Sequence, residues 1–376
     1  MSDNFELKQK FIKTPFLWKV LLFFILVLCL FLVIYKYVIK KTFNSQQIPQ
    51  VHSEKVLQNK KLEFDAAAYD KKLNEIANNP ALAVAGATST ANTKLSLSDH
   101  EGLGNSGWPV KTGYPNYGAL LPFNRIVAYY GNLYSTNMGV LGEYPEEEML
   151  NRLSVEVKKW QAADLNTPVI PALHYIAVVA QSGTGRDGMY RARMPDEQVD
   201  KVLAMAEKIH GLVFLDIQVG LSNVQSEIPR LEKYLKLPNV HLGIDPEFSM
   251  KTGAPPGTAI GTMDAQDINF AAEYLSEIVK KNNLPPKILI VHRFTKPMVT
   301  NYRNIKILPE VQIAMDMDGF GSQGSKLNTY KQYIYKEPVQ FTGFKLFYKN
   351  DIVNSRLLQP EDLLKLSPIP VYIQYQ

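Results

Sequence analysis

The sequence predicts a closed (β/α)8 barrel, and three observations carry that prediction. From Arg125 onward, eight apolar strand-like runs alternate with helical stretches, the pattern of a parallel sheet. The stretch has about the 250 residues usual for a barrel. The eighth run stands at the end of the sequence, where it can pair with the first. An open, doubly wound sheet is the rival, and the count of eight favours closure.

The runs, in order, are RIVAYYG (125–131), PVIPALHYIAVVA (168–180), LVFLDIQVG (212–220) and VHLGIDPEF (240–248). KILIVHRF (287–294), VQIAMDMDGFG (311–321), FTGFKLFY (341–348) and PVYIQYQ (370–376) follow. Seven mostly helical connections join them. The first opens on Pro145 with an acidic first turn, a good helix start. The second places Val199, Val202, Leu203, Ala206 and Ile209 at i, i+3, i+4 spacing, one face of a helix. VQSEIPRLEKYLKL and DAQDINFAAEYLSEIVKKNN are further helical connections.

Upstream of residue 123 the texture differs. Residues 1–14 form a short tail and 15–40 a transmembrane anchor: Val20 to Ile34 carry no charge, and Trp18, Tyr35 and Tyr37 sit where interface aromatics belong. No small-x-small cleavage site follows, so the anchor is expected to be retained. Lys8, Lys10, Lys13 and Lys19 precede it and Lys36, Lys40 and Lys41 follow, which leaves orientation poorly specified. The expectation is a single-pass protein of the cell membrane with residues 123–376 on the extracytoplasmic side. Residues 41–122 read as a linker or stalk with one helix within 64–79, which could cover an open barrel position.

Composition narrows the function. The chain of 376 residues is 46% hydrophobic and 20% charged, with a net charge of +5. The basic residues are scattered, so no nucleic-acid partner is expected. The single cysteine, Cys29, lies in the anchor, which rules out an internal disulfide or a cysteine metal site. GTGRDG (183–188) fits G-x-G-x-x-G but does not lead from a strand straight into a helix, so it reads as a flexible loop. Arg186, Arg191 and Arg193 there are candidates to meet an anionic substrate, and 249–263 reads as a lid beside the fourth strand.

Barrel active sites lie at the C-terminal ends of the strands. There the first strand carries Tyr129 and Tyr130, the second His174, the third Asp216 and Gln218, and the fourth Asp245 and Glu247. The fifth carries His292 and Arg293, the sixth Asp316 and Asp318, the seventh Lys345, and the eighth Tyr372 and Gln374. Residues two apart on a strand share a face, so each pair is expected to project from the mouth together. Five carboxylates this close cannot all ionise cheaply, and one pKa must rise. Glycoside hydrolysis uses such a set: one protonated acid, and another carboxylate to stabilise or attack the anomeric centre. Tyr129, Tyr130, Gln218, His292, Arg293, Lys345, Tyr372 and Gln374 are the expected substrate contacts, with a polysaccharide as partner.

RIVAYYG, GIDPEF and AMDMDGF resemble, in order, the first-, fourth- and sixth-strand motifs of the chitinase-like glycoside hydrolases. That resemblance implies a barrel in which Glu247 is the general acid, Asp245 its partner carboxylate and Asp318 the sixth-strand aspartate. Asp316 and Asp216 are further catalytic candidates. The chain departs from the family at Gly243, where a further Asp would stand, and at Met317, where a Tyr would hold the substrate's acetamido group. The third strand also lacks the family's Ser-x-Gly-Gly.

Two other readings stay open on the residues. Asp216, Asp245, Glu247, His292, Asp316 and Asp318 could hold Mg²⁺, Ca²⁺ or Mn²⁺ in a metal-dependent hydrolase. Zinc prefers more histidine than His174 and His292 supply, and no H-x-H or H-E-x-x-H occurs. No metal and no cofactor is therefore expected. Alternatively, the barrel binds glycan or a partner protein without catalysis.

Overall fold

The structure, a computed structural model, describes residues 64–78 and 107–376. All of these fall within one unit, Leu62–Gln376. The predicted anchor over 15–40 lies outside the described residues. Among the described residues, no helix is long and apolar enough to cross a membrane.

Eight parallel strands form the barrel: β1 (Arg125–Gly131), β2 (Val169–Ala180), β3 (Leu212–Ile217), β4 (Val240–Ile244), β5 (Lys287–Arg293), β6 (Val311–Met317), β7 (Phe341–Leu346) and β8 (Tyr372–Tyr375). Each pairs with the next in sequence, and β1 pairs with β8 in register from Ile126 opposite Tyr372. The sheet is closed. A three-residue strand, Arg191–Arg193, runs antiparallel to the end of β2.

Alternation along the strands sorts their side chains into two layers. Val127, Tyr129, Leu173, Val213, Leu242, Leu289, Ile313 and Phe344 face outward into the main apolar core. Burying one such side chain contributes roughly 1.5–3 kcal/mol. Three long helices pack on that layer: α2 (Glu146–Ala163), α3 (Asp196–Lys208) and α4 (Ala265–Asn282), introduced after α1 (Ala66–Ala77) in the chain. Helix α3 buries Val199, Val202, Met205 and Ala206, the predicted stripe shifted by one contact. Helix α4 starts on a reciprocal Asp264/Asp267 capping box and ends on Asn283 in the left-handed conformation. The connection after β3 is not one helix. Pro229 breaks it into single turns at Val224–Glu227, Ile228–Leu231 and Glu232–Leu235.

The inward layer changes character from end to end. At the N-terminal end, Ile126, Ala128, Leu212, Phe214, Ile288, Phe341 and Val371 form an apolar plug. Helix α1 closes this end, with Tyr69 and Ile76 in the same cluster and Ile76 accepting a backbone bond from Ile369. The helix covers no lateral gap, because the β1–β8 pairing leaves none. Leu120 and Leu121, from the stretch read as stalk, also enter this end. Their N–H groups donate to Gln312 Oε1 at 3.0 and 3.1 Å. At the C-terminal end most inward residues are charged or polar, with Ile176 an apolar exception.

Candidate active site

Each strand end delivers one or two polar groups to the mouth, but not by simple alternation. Tyr372 and Gln374 do share the inward face of β8. Strand β4 ends at Ile244, three residues before Glu247 and earlier than expected, and Pro246–Phe248 form a 3-10 turn. Asp245 caps that turn, its Oδ1 accepting the Glu247 N–H at 3.0 Å. Proline supplies no N–H and fixes φ, so the strand cannot continue through it. The turn, not the pleat, brings the two acids together.

A cavity of about 560 Å³ opens there, lined among others by Tyr130, Gln218, Asp245, Glu247, Asp318 and Lys345. Six expected site residues therefore meet in one pocket. Glu247 is half-buried on its rim, and Asp245 and Asp318 are buried beside it. Gln218 links the groups: its Nε2 lies 3.4 Å from Asp245 Oδ2 and 3.3 Å from the Tyr130 hydroxyl. The Lys345 ammonium sits 2.9 Å from Asp318 Oδ1 and 3.8 Å from the Tyr130 ring centre.

His174, Asp216, His292, Asp316, Tyr372 and Gln374 lie below the pocket floor, fully buried on the barrel axis. Asp216 Oδ2 accepts from the Tyr130 hydroxyl at 2.9 Å. His292 Nδ1 stands 3.3 Å from Asp316 Oδ2 and 3.2 Å from Asp318 Oδ2. These residues support the pocket rather than line it.

Two expected contacts face away from the mouth. Tyr129 occupies an outward position of β1, its hydroxyl 3.1 Å from that of Tyr348. Arg293 likewise points outward, donating to the carbonyls of Thr295, Tyr333 and Lys296 and pairing with Glu337. Strand parity decides both cases: Tyr130 and His292 take the inward positions, so their neighbours cannot. Arg191 and Arg193 are also committed elsewhere, to the buried carboxylate of Glu227 at 2.8 and 2.7 Å. Residues 249–263, expected as a lid, lie beside the pocket in this structure. None lines the pocket, and Gly261 packs so tightly on the backbone of Pro246 and Glu247 that a Cβ there would fall 2.6 Å from both carbonyl oxygens.

The carboxylates are driven apart in pKa. Burial, reinforced by the Asp318 charge, pushes Glu247 up to about 7. Burial also raises Asp245 well above the usual carboxylate range, with Glu247, Asp216 and Asp318 adding repulsion. For Asp318 burial works toward a higher value, but Lys345 and His292 outweigh it and hold the group low. The pocket thus sets two carboxyl groups with raised pKa beside one held low.

Sequence reasoning missed the apolar half of the lining: Met138, Phe248, Phe294, Phe320 and Phe347. Phe294 and Phe347 follow β5 and β7 directly, so an aromatic just beyond a strand end was the available signal. It also missed what two glycines do. A Cβ at Gly243 would lie 2.5 Å from Asp216 Oδ1, and one at Gly343 2.5 Å from Asp316 Oδ1. The space that Gly243 leaves is filled by Asp216 from β3 and His174 from β2. Met317 is buried outward, so no side chain at that position reaches the pocket.

No protein-family model and no curated protein matches the chain. Among solved structures it is similar to a hyperthermophilic endo-β-1,4-glucanase in complex with substrate, at 11% identity over 68% of this chain and 89% of that one, with a TM-score of 0.36. It is also similar to a GH18 chitinase from Pseudoalteromonas aurantia, at 10% identity over 67% of this chain and 94% of that one, with a TM-score of 0.32. Likeness this slight carries no argument, and the barrel assignment rests on the chain's own closed sheet.

Proposed function

We propose that this protein is a membrane-anchored, exported glycoside hydrolase acting on an extracellular or cell-wall polysaccharide. The observation that carries the reading is Glu247, a carboxylic acid raised to about 7 on the rim of an open pocket beside the ionised Asp318. In this reading Glu247 gives its proton to the departing glycosidic oxygen. The Asp318 carboxylate, fixed by Lys345 and His292, stabilises the positive charge that grows at the anomeric carbon. Asp245 orients Glu247 by accepting the Glu247 backbone N–H, and burial favours the neutral form of Asp245. Phe294, Phe320 and Phe347 supply flat surfaces for sugar faces. Residues 15–40 hold the barrel at the membrane.

Hydrolysis of a panel of polysaccharides by the full-length protein is the test. Glu247→Gln is expected to lower turnover by about 10²–10⁴-fold while glycan binding persists. The active form is the protonated acid, so activity should fall as pH rises through about 7. Full activity in both Glu247→Gln and Asp245→Asn on a verified substrate would reject the assignment. Binding without turnover in the wild type would point to a non-catalytic glycan-binding barrel.

A further inference from the structure

Below Tyr130, three side chains from three strands converge on the barrel axis: His174 from β2, Asp216 from β3 and His292 from β5. All three are fully buried. His174 Nε2 lies 3.4 Å and His292 Nε2 3.6 Å from Asp216 Oδ1, and none of these three atoms has a hydrogen-bond partner. Leaving a buried polar atom unpaired costs about 1–3 kcal/mol, and here three such atoms point at one another. Among the described residues, these form a cluster whose three ligand atoms all lie within 4.8 Å of one another.

We propose that His174 Nε2, Asp216 Oδ1 and His292 Nε2 form a tripod that binds one divalent transition-metal ion of the zinc class. Zinc bonds of about 2.0–2.2 Å in a tetrahedron separate neighbouring ligand atoms by roughly 3.3–3.6 Å, which the two measured edges match. Two imidazoles and one carboxylate suit zinc and its neighbours better than magnesium or calcium, which prefer oxygen donors.

His174 and Asp216 are also held from behind by hydrogen bonds, and His292 has carboxylates within ion-pair distance, as metal ligands do. His174 Nδ1 lies 2.5 Å from the Tyr372 hydroxyl, which Gln374 Nε2 supports at 2.9 Å. His292 Nδ1 lies between the carboxylates of Asp316 and Asp318. The second oxygen of Asp216 takes the Tyr130 hydroxyl. Gly243 keeps the approach clear, since a Cβ there would fall 2.5 Å from both Asp216 Oδ1 and His174 Nε2. The Tyr130 ring packs on both imidazoles, with centroids 5.3 and 5.9 Å away, and shields the tripod from the pocket. The ion therefore fixes Asp216 and Tyr130 in place and does not meet the substrate. The site stands independently of the glycosidase reading.

Full-length, tag-free protein stripped with chelator and titrated with Co²⁺ is the test. One equivalent should bind with the visible absorption of low-coordinate, nitrogen-ligated Co²⁺, and Zn²⁺ should raise the thermal unfolding midpoint. His174→Ala and His292→Ala should lose the band. Asp316→Asn, behind His292, should bind about 10–100-fold more weakly. Glu247→Gln should keep full uptake, which separates failure of this site from failure of the hydrolase assignment. X-ray absorption on zinc-loaded wild type should show two imidazoles plus oxygen, and this decides the matter if a histidine variant fails to fold. Absence of stoichiometric uptake and of any midpoint shift in the wild type overturns the proposal. A different ligand shell, or a band that survives loss of both histidines, overturns it as well.

Discussion

Two buried lysines, one toward each end of the barrel, are held in opposite ways. Lys287 opens β5 at the N-terminal end, and its ammonium donates to the carbonyls of Leu237 and Val240, the latter at 2.9 Å. Among the described residues no carboxylate pairs with it, and burial pushes its pKa down to about 7. Lys345 lies near the end of β7 and meets the Asp318 carboxylate at 2.9 Å. At the apolar end Lys287 carries a charge that can be discharged, whereas at the functional end Lys345 is held by a paired carboxylate. Rigid, ionised groups are what catalysis of this kind needs, and a desolvated carboxylate network supplies them at the expense of stability.

The comparison breaks most visibly at Lys345. Lys345→Met strands Asp318 in the interior with only His292 beside it, and removing one partner of a buried pair costs about 3–5 kcal/mol. Urea unfolding at pH 7 measures this, and a loss below about 1 kcal/mol would show that the pair is not desolvated. Lys326, on α5 (Gln323–Thr329), is the intermediate case. Its ammonium donates to the carbonyls of Gly319 and Lys345 and sits 3.0 Å from Asp351 Oδ2. Asp351 also accepts the N–H groups of Gly321 and Phe347, so its charge stays solvated by the backbone after Lys326→Met. Lys326→Met removes one partner of a fully buried pair, but Asp351 keeps two backbone donors, so the expected loss is about 3 kcal/mol, the low end of the range for a broken buried pair, and the same urea series sets it beside Lys345→Met.

This contrast explains what was legible in the sequence. Strand positions were, because each apolar run of β1 to β8 is long enough to cross one layer and is bounded by turn residues. The meeting of Asp245, Glu247 and Asp318 was legible too, since strand ends in a closed barrel converge on one mouth. Parity near the ends was not. Whether Tyr129 or Tyr130 faces inward depends on the register of the whole β1–β2 pairing, which no local pattern states. Depth was not legible either: Asp216 and Glu247 look alike in sequence, yet one lies beneath Tyr130 and the other on the rim. Gly243 read only as a departure from the resemblance because the space above it depends on a different strand.

Lys287→Met should have the smallest effect at neutral pH, and its pH dependence isolates the cause. Methionine fills a similar volume without burying an ammonium, which offsets part of what is lost. Leu237 keeps one partner, the Val240 N–H, so the remaining cost is about 1 kcal/mol. The folded-state pKa of about 7 lies below the ordinary 10.5. Between these values the unfolded chain holds a proton that the folded chain has released, so raising the pH stabilises the wild type. Below about 7 both states carry the proton, and the full burial penalty applies. The difference in unfolding free energy between wild type and Lys287→Met should therefore widen from pH 7 to pH 10 and stay constant below 7. Parallel curves across that range would mean that Lys287 is not desolvated, and that the two ends of the barrel hold their charges alike.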